Sequence, residues 1–150
     1  VSNIEPGKSQ MQNFGEADYK GIEAQLNYTV LENLSLHFNY TYIERKNITN
    51  HNIHFTDVPN TKVMGTLEYS PVKILRFIAN SEFNSSRFST SYGAHVPDYT
   101  LLNFYASGKI SKNLSIDAGI NNIFDKNYSL VEGYPEEGRN FFVTLRFFNN

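Results

Sequence analysis

The sequence contains no cysteine and no tryptophan, and it has no long run of apolar residues. Because cysteine is absent, the chain can form no disulfide, no thiolate metal site and no cysteine nucleophile. No apolar segment approaches the roughly 20 residues that a membrane-spanning helix requires. An excess of charge is also lacking, since the formal net charge is −2 at pH 7. This balance gives no indication that nucleic acid is a partner.

Sequence motifs of the common enzyme classes are missing as well. The chain has no Ser–His–Asp arrangement, no paired carboxylates, no phosphate-binding P-loop and no GxGxxG. We therefore predict that the protein is not an enzyme and has no catalytic residues and no cofactor. Residues 1–4 also lack an initiator methionine and the basic and apolar regions of a signal peptide. We expect the chain to be a piece of a longer protein.

Aromatic residues are plentiful, with 10 tyrosines and 12 phenylalanines. Membrane β-barrels use such rings in girdles at the two membrane interfaces. Soluble β-rich domains are also rich in aromatic residues, so the composition alone leaves both classes open. The mean hydropathy is negative. A barrel strand alternates lipid-facing and lumen-facing residues, so a negative mean does not exclude a membrane barrel.

Apolar and polar residues alternate along seven segments, which predicts seven β-strands. In the first, Ile22, Ala24 and Leu26 lie on one face, and polar residues lie on the other. The predicted strands cover residues 19–30, 34–42, 62–69, 75–83, 102–110, 114–121 and 141–147. Their charged residues fall on the polar faces: Glu23, Lys62, Glu68, Arg76, Glu82, Lys109, Asp117 and Arg146. A charge on a lipid-facing row would cost about 2–4 kcal/mol at the bilayer midplane.

The connections between the predicted strands differ in length in a regular way. Tight turns at residues 31–33, 71–73 and 111–113 alternate with long polar loops at 44–58, 84–97 and 126–138, and residues 1–18 are predicted to be loop. Short turns at one end and long loops at the other are typical of an outer-membrane barrel. Alternation alone does not say which face is inside. A soluble, lipocalin-like ligand-binding β-barrel with its apolar residues inside is therefore the alternative from another class.

The last third of the chain carries two short motifs in a fixed order. An alternating strand ends in N-x-F-D-K-x-Y, followed by G-Y-P-x-x-G-R and an aromatic final strand. In order, these residues resemble the C-terminal end of TonB-dependent outer-membrane receptors. The matching residues are Asn122, Phe124, Asp125, Lys126, Tyr128, Gly133, Tyr134, Pro135, Gly138 and Arg139.

The resemblance implies an all-β fold, an antiparallel transmembrane β-barrel. Such receptors have twenty-two strands and a lumen filled by a plug. Residues 1–150 would be the C-terminal segment of that barrel, with about seven strands and without the plug domain and the TonB box. Seven strands alone would leave two unpaired edges, which lipid does not tolerate. A small autonomous outer-membrane barrel, acting as a porin or adhesin, is the alternative within the membrane class.

The resemblance also implies a location, a function and partners. The protein would lie in the bacterial outer membrane and take up a scarce small-molecule nutrient of the ferric siderophore, haem or cobalamin class. Its partners would be outer-membrane lipid, its own plug, TonB acting through the plug, and the barrel-assembly machinery. The last partner would bind the final strand, whose row Phe141, Val143, Leu145 and Phe147 or Phe148 resembles the assembly signal.

The predicted loops contain the candidate ligand-binding residues. His51 and His54 form H-x-x-H, a spacing that could bind a metal or a haem iron, but no third ligand is fixed beside them and we predict no metal site. Arg87, Tyr92 and His95 suit a ferric-siderophore anion or a flat organic ligand. We expect the glycines and proline of the terminal motif to shape a turn, with Arg139 pairing nearby.

Overall fold

The computed structural model describes residues 2–5, 8–10 and 15–149, and its regular structure there consists of β-strands. The strands are β1 (Ser2–Glu5), β2 (Lys8–Gln10), β3 (Ala17–Leu31), β4 (Leu34–Asn47), β5 (Thr61–Val72), β6 (Leu75–Asn84), β7 (Arg87–Phe88), β8 (His95–Val96), β9 (Tyr99–Lys109), β10 (Leu114–Asn121), β11 (Ser129–Val131), β12 (Tyr134–Pro135) and β13 (Asn140–Phe147). Within the described ranges, no helix is long and apolar enough to cross a membrane.

Seven long strands form one antiparallel sheet in the order β13-β10-β9-β6-β5-β4-β3. This confirms the predicted number and sequence of strands. The strand β4 is longer than predicted, because Ile43 to Asn47 continue to pair with β3 after the apolar alternation has ended. The long loop that follows therefore begins at residue 48, where the alternation placed it at residue 44. Three short hairpins, β1-β2, β7-β8 and β11-β12, lie outside this sheet.

The segment predicted to be loop before the first strand contains a short hairpin. Residues 2–5 pair with residues 8–10, and β3 begins at Ala17 rather than Tyr19. Residues 1, 6–7 and 11–14 of that predicted loop lie outside the described residues. The two strands have four and three residues. Each is too short to cross a membrane, which takes about 9–11 residues, so they provide no eighth spanning strand.

One face of the sheet is a continuous apolar surface. A single row of paired residues crosses all seven strands: Tyr28, Leu36, Leu67, Ala79, Phe104, Ile120 and Phe141. The side chains of this face are open to the surroundings, as shown by Ile22 at 65% and Val143 at 68% exposure. Among the described residues only Val96 and Tyr99 are buried apolar residues. An apolar face of this size is unfavourable in water, so it requires a cover of lipid or of other protein.

The opposite face is polar and bonded across the strands. A row made of Asn27, His37, Thr66, Asn80 and Asn103 runs beside the apolar row just described. In it, the Asn80 amide donates to Thr66 Oγ1 at 3.0 Å, and Nδ1 of His37 lies 2.8 Å from Asn27 Oδ1. Because period two places neighbours on opposite faces, the polar row is the inner wall if the apolar row meets lipid.

Three ion pairs join adjacent strands on this polar face. Arg76 pairs with Glu68 at 2.5 Å, Lys62 with Glu82 at 3.1 Å, and Arg146 with Asp117 at 2.8 Å. The sequence predicted only that these charged residues lie on the polar faces, and the structure confirms that placement and adds the pairing. Each pair holds two strands by a diagonal contact without placing a charge on the apolar face.

Candidate functional site

Three long loops leave the same end of the sheet. We call them L1 (residues 48–60, between β4 and β5), L2 (85–98, between β6 and β9) and L3 (122–139, between β10 and β13). The short connections at residues 32–33, 73–74 and 110–113 lie at the other end. Since consecutive antiparallel strands reverse direction at each connection, every second connection must fall at the same end. The topology therefore brings these three loops together.

L1 and L2 are joined by backbone hydrogen bonds and by ring contacts. The N–H groups of His54 and Asp57 donate to the carbonyl oxygens of Ser91 and Phe88, at 3.0 and 2.9 Å. The His54 ring is parallel to the Phe88 ring within 3°, with 3.9 Å between centroids. His95 packs against the same Phe88 ring at 4.2 Å. Two of the predicted ligand histidines thus meet at one phenylalanine.

L2 and L3 are joined by Arg87. Its guanidinium donates to the carbonyl oxygens of Ser129 and Leu130 at 2.9 and 2.8 Å, and it lies 5.7 Å from the centre of the Tyr99 ring. Arg87 is only 5% exposed. Ser89 adds a second link by donating to the Glu132 carboxylate at 2.6 Å. The geometry of Arg87 therefore supports a role in positioning the loops rather than in direct contact with a ligand.

A cavity of about 160 Å³ lies between L1, L2 and the end of β4. Its lining residues are Arg45, Lys46, Asn47, His51, Ile53, His54, Phe55, Asn60 and Phe88. The lining combines cationic or imidazole side chains with two aromatic rings and contains no aspartate or glutamate. Such a lining suits a planar group that carries negative charge.

Arg45 and Asn47 shape the floor of this cavity. Arg45 donates to the carbonyl oxygens of Thr56 and Val58, which fixes the return of L1 toward β5. Asn47 is 5% exposed, and its Oδ1 accepts the N–H of Asn50 at 2.9 Å. The Nδ2 of Asn47 and the Nε of Arg45 are buried without a hydrogen-bond partner among the described residues. Two donors next to the cavity are therefore unused.

The predicted ligand residues are only partly brought together. His51 and His54 both line the cavity, and His95 joins them through Phe88. Tyr92 is 89% exposed and does not line it. In the described part of the chain, no group of three or more His, Cys, Asp or Glu residues is arranged to hold a metal ion.

Sequence reasoning missed Arg45, Asn47 and Phe55 as parts of this site. A usable signal was present for Arg45, which has the same parity as the inward residues of β4 and directly precedes the long loop. Phe55 packs on Tyr19 at 5.6 Å, and Tyr19 pairs with Arg45 across β3 and β4. No sequence pattern predicts this contact between a loop and a strand distant in sequence.

The terminal motif forms a hydrogen-bonded turn around Asn122. The Asn122 side chain accepts the N–H of Lys126 at 2.8 Å and donates to the Lys126 carbonyl at 2.9 Å. Its own N–H donates to Asn103 Oδ1 at 2.8 Å, and its φ is 51°. Asparagine is one of the few residues that tolerate this left-handed conformation, and its amide satisfies both groups of Lys126. Phe124, within the turn, points outward and is exposed.

The second half of the motif closes L3 onto that turn. Asp125 Oδ1 accepts the N–H of Arg139 at 2.8 Å, and Arg139 Nη1 donates to the Ile123 carbonyl at 3.4 Å. A Cβ on Gly138 would lie 2.8 Å from the same Asp125 oxygen, so a side chain there would displace it.

The remaining motif residues lie in the hairpin of L3. Gly133 has a φ of 79° between β11 and β12, and Pro135 pairs with Ser129 in that hairpin. The Tyr134 side chain is exposed. The Tyr128 ring packs on Tyr99 at 4.6 Å, and burial raises the pKa of the Tyr128 phenol, with Glu136 adding to the effect. Tyr128 is therefore a second link between β9 and L3.

Comparison with known proteins agrees with this architecture. Residues 1–123 match the family described as TonB dependent receptor-like, beta-barrel. The iron-regulated outer membrane virulence protein of Vibrio cholerae is 26% identical over 141 residues, covering 89% of this chain and 22% of that protein.

Solved structures share the fold at low sequence identity. The ferric enterobactin receptor of Pseudomonas aeruginosa has a TM-score of 0.77 at 21% identity and covers 90% of this chain and 23% of its own. The ferric-catecholate import receptor Fiu of Escherichia coli K12 has a TM-score of 0.77 at 17% identity and covers 87% and 21%. The chain thus spans about a fifth of the length of the proteins it matches.

These matches decide between the classes that the sequence left open. A lipocalin-like soluble barrel is set aside because the matching family is one of TonB-dependent receptor-like barrels. The family consists of receptors rather than enzymes, and the Vibrio cholerae relative is an outer-membrane protein. The chain belongs to the TonB-dependent receptor-like β-barrel family and lies in the bacterial outer membrane.

Proposed function

We propose that this chain is a C-terminal wall segment of a larger receptor that imports a scarce nutrient in a TonB-dependent way. The observation that carries this proposal is the two-faced sheet, with an apolar row across seven strands and a bonded polar row beside it. In the described residues the sheet is open, with β3 and β13 at its two edges. Strands from elsewhere in the receptor would pair with both edges, because unpaired backbone is not tolerated in lipid.

The two faces suggest the partners of the segment. The apolar face would contact outer-membrane lipid, and the polar face with its ion pairs would line a lumen that holds the plug of the same receptor. TonB would act on the plug and not on this segment. The exposed row of β13, which contains Phe141 and Phe147, supports recognition by the barrel-assembly machinery.

Within the nutrients named above, the structure supports an iron chelate best. The cavity under L1 and L2 has cationic, imidazole and aromatic lining without a carboxylate. For an iron chelate that is anionic and carries planar groups, Arg, Lys and aromatic rings are suitable partners. The named relatives include an iron-regulated protein and two ferric-chelate receptors.

The proposal is tested by transport in cells that carry the full-length receptor. Ferric enterobactin, haemin and cyanocobalamin are supplied separately, and uptake is compared with and without TonB. We expect uptake of a ferric chelate that depends on both the receptor and TonB. Receptor-dependent uptake that continues without TonB would overturn the proposal and support the autonomous porin instead.

A further inference from the structure

We propose that the short-turn end of the sheet binds an anionic phospholipid of the periplasmic leaflet. The phosphate would lie at Lys73, Lys109 and Lys112, which we call the lysine rim, and one acyl chain would lie in a groove of the apolar face. The inference depends on the outer-membrane location of the chain and not on the nutrient that the receptor imports.

Backbone pairing brings the three lysines of the rim together. Lys73 lies in the turn between β5 and β6, and Lys112 lies in the turn between β9 and β10. Because β6 and β9 are neighbours in the sheet, the two turns lie side by side, and the N–H of Lys109 donates to the carbonyl oxygen of Ile74 at 2.9 Å. All three lysines are exposed. The rim therefore concentrates three positive charges in a small area.

The rim is not neutralised by the acidic residues nearby. Neither turn contains aspartate or glutamate, and among the described residues no rim lysine has a carboxylate at ion-pair distance. The closest acidic residues on the adjoining strands, Glu68 and Asp117, pair with Arg76 and Arg146 instead. The third short turn contributes Glu32, so the short-turn end keeps an excess of positive charge. Basic clusters at a membrane surface favour anionic lipid headgroups.

A cavity of about 710 Å³ lies at the rim, where β9 ends and β10 begins. Lys109 and Lys112 line it together with the aliphatic side chains of Ile74, Ile110 and Leu114. No acidic residue is among its lining residues. A lining that is both cationic and aliphatic suits the part of a phospholipid where the phosphate joins the acyl chains.

The apolar face carries a groove because large and small side chains alternate across its strands. In the paired row Leu67, Ala79 and Phe104, the middle residue offers only a methyl group between two bulky flanks. Tyr69 and Phe77, in the next row toward the turns, also line the groove. The rings of Phe77 and Phe104 lie 6.0 Å apart, and the groove measures about 350 Å³. Its apolar walls suit a flexible acyl chain.

The spacing between the groove and the rim fits one leaflet. Along β6, Ala79 lies about 13 Å from Leu75 at the turn, which is about 10 Å of depth at a tilt near 40°. One leaflet contributes about 15 Å of hydrocarbon. A lipid with its phosphate at the rim would therefore have its chain at the depth of the groove. Outer-membrane barrels have their short turns on the periplasmic side, where the leaflet consists of phospholipid.

The test is native mass spectrometry of the full-length receptor, purified in detergent and titrated with lipids that share two oleoyl chains. Phosphatidylglycerol carries a net negative charge and phosphatidylethanolamine carries none, while glycerol 3-phosphate supplies the charge without a chain. We expect phosphatidylglycerol to bind at least several-fold more tightly than either of the other two. Lipopolysaccharide, the anionic lipid of the outer leaflet, should not displace it.

Lysine variants assign the headgroup to the rim. In Lys73→Gln combined with Lys112→Gln, we expect the dissociation constant of phosphatidylglycerol to rise about tenfold, because two charges facing the phosphate are lost. The matched control is Lys20→Gln combined with Lys126→Gln, which removes two positive charges at the loop end and should change nothing. The shift of each variant on boiling verifies that its barrel is folded.

Alanine variants assign the chain to the groove. Ala79→Leu would fill the space between Leu67 and Phe104, so we expect phosphatidylglycerol to bind several-fold more weakly. The matched control is Ala118→Leu, which makes the same change on the same face but outside the groove. It should leave the binding of phosphatidylglycerol unchanged.

The outcomes are independent of the transport proposal. Equal binding of phosphatidylglycerol and phosphatidylethanolamine, equal binding of glycerol 3-phosphate, or displacement by lipopolysaccharide would each overturn the inference. An unchanged constant in the lysine double variant, or equal effects of either variant and its control, would do so as well. Selective binding that both variants weaken and both controls retain would support the site, whether or not any nutrient is taken up.

Discussion

Single residues explain why the terminal motif has its particular composition. Asn122 is 4% exposed and bonds both backbone groups of Lys126 while its own N–H reaches Asn103. Asp125 then receives the N–H of Arg139 from the far end of L3. Neither residue faces the cavity under L1 and L2. The motif by which the chain resembles receptors thus works locally, by shaping the return of the chain into β13.

Replacing Asn122 by alanine should release this turn. The variant loses two side-chain hydrogen bonds to Lys126 and places alanine at a φ of 51°. We expect local destabilisation of about 2–3 kcal/mol, from unsatisfied buried groups and backbone strain. In the full-length receptor this would appear as faster hydrogen exchange at the Lys126 amide. The control is Asn52→Ala, on an exposed position of L1. Unchanged exchange at Lys126 in the Asn122 variant would contradict the role given to the turn.

Replacing Arg87 by lysine tests whether it positions L3. Lysine keeps the charge but cannot reach the Ser129 and Leu130 carbonyls with a planar fork. We expect L3 to be cleaved several-fold faster by a protease added to intact cells, with the sheet unaffected. Arg139→Lys serves as the comparison, because Arg139 makes a single long side-chain contact at 3.4 Å. If Arg87 instead binds the nutrient directly, proteolysis would be unchanged while uptake falls.

The long strands show how one alternating sequence pattern produces two different surfaces of the sheet. In each long strand, odd and even positions separate the polar from the apolar row, and the register joins the rows across the sheet. The pattern ends before the strand does in β4, because backbone pairing with β3 continues through Asn47. Beyond the membrane the side chains need not alternate, so this extension is invisible to periodicity. It nevertheless carries Arg45 and Asn47 to the cavity.

Adjacent positions of β3 test the assignment of the two faces. Ala24 pairs with Tyr40 on the apolar face, and Gln25 pairs with Asn39 on the polar face, at nearly the same depth. We expect Ala24→Arg to destabilise the full-length barrel by about 2–4 kcal/mol, whereas Gln25→Arg should cost less than about 1 kcal/mol. Urea titration of the heat-modifiable band on gels measures both. Equal costs for the two variants would contradict the assignment of the faces.

At the scale of the whole molecule, the described residues form an open wall rather than a closed barrel. Within them, the edge strands β3 and β13 each pair with one neighbour only, and both are exposed along most of their length. The proteins it matches are about four times as long, because 89% and 90% of this chain cover 22% and 23% of them. Closure would therefore come from strands that other parts of the receptor supply.

The size of the native protein tests this directly. An antibody to residues 141–149 is used on detergent-extracted outer membranes, boiled and unboiled. We expect a band several times larger than 17.2 kDa that shifts on boiling, as a closed barrel does. A heat-modifiable band at 17.2 kDa in the membrane would contradict this expectation and show a small autonomous barrel.

The sequence by itself determined the seven strands, their two faces and the position of Glu68, Glu82 and Arg146 on the polar face, because alternation and charge parity are local properties of a strand. It also located the turn residues Asn122, Gly133 and Gly138. Only the tertiary structure decided that Arg87 joins L2 to L3, that His54 and His95 meet at Phe88, and that Arg45 closes a cavity. Those contacts link residues distant in sequence through irregular loops, whose conformations depend on side chains and backbone groups that no periodic pattern brings together.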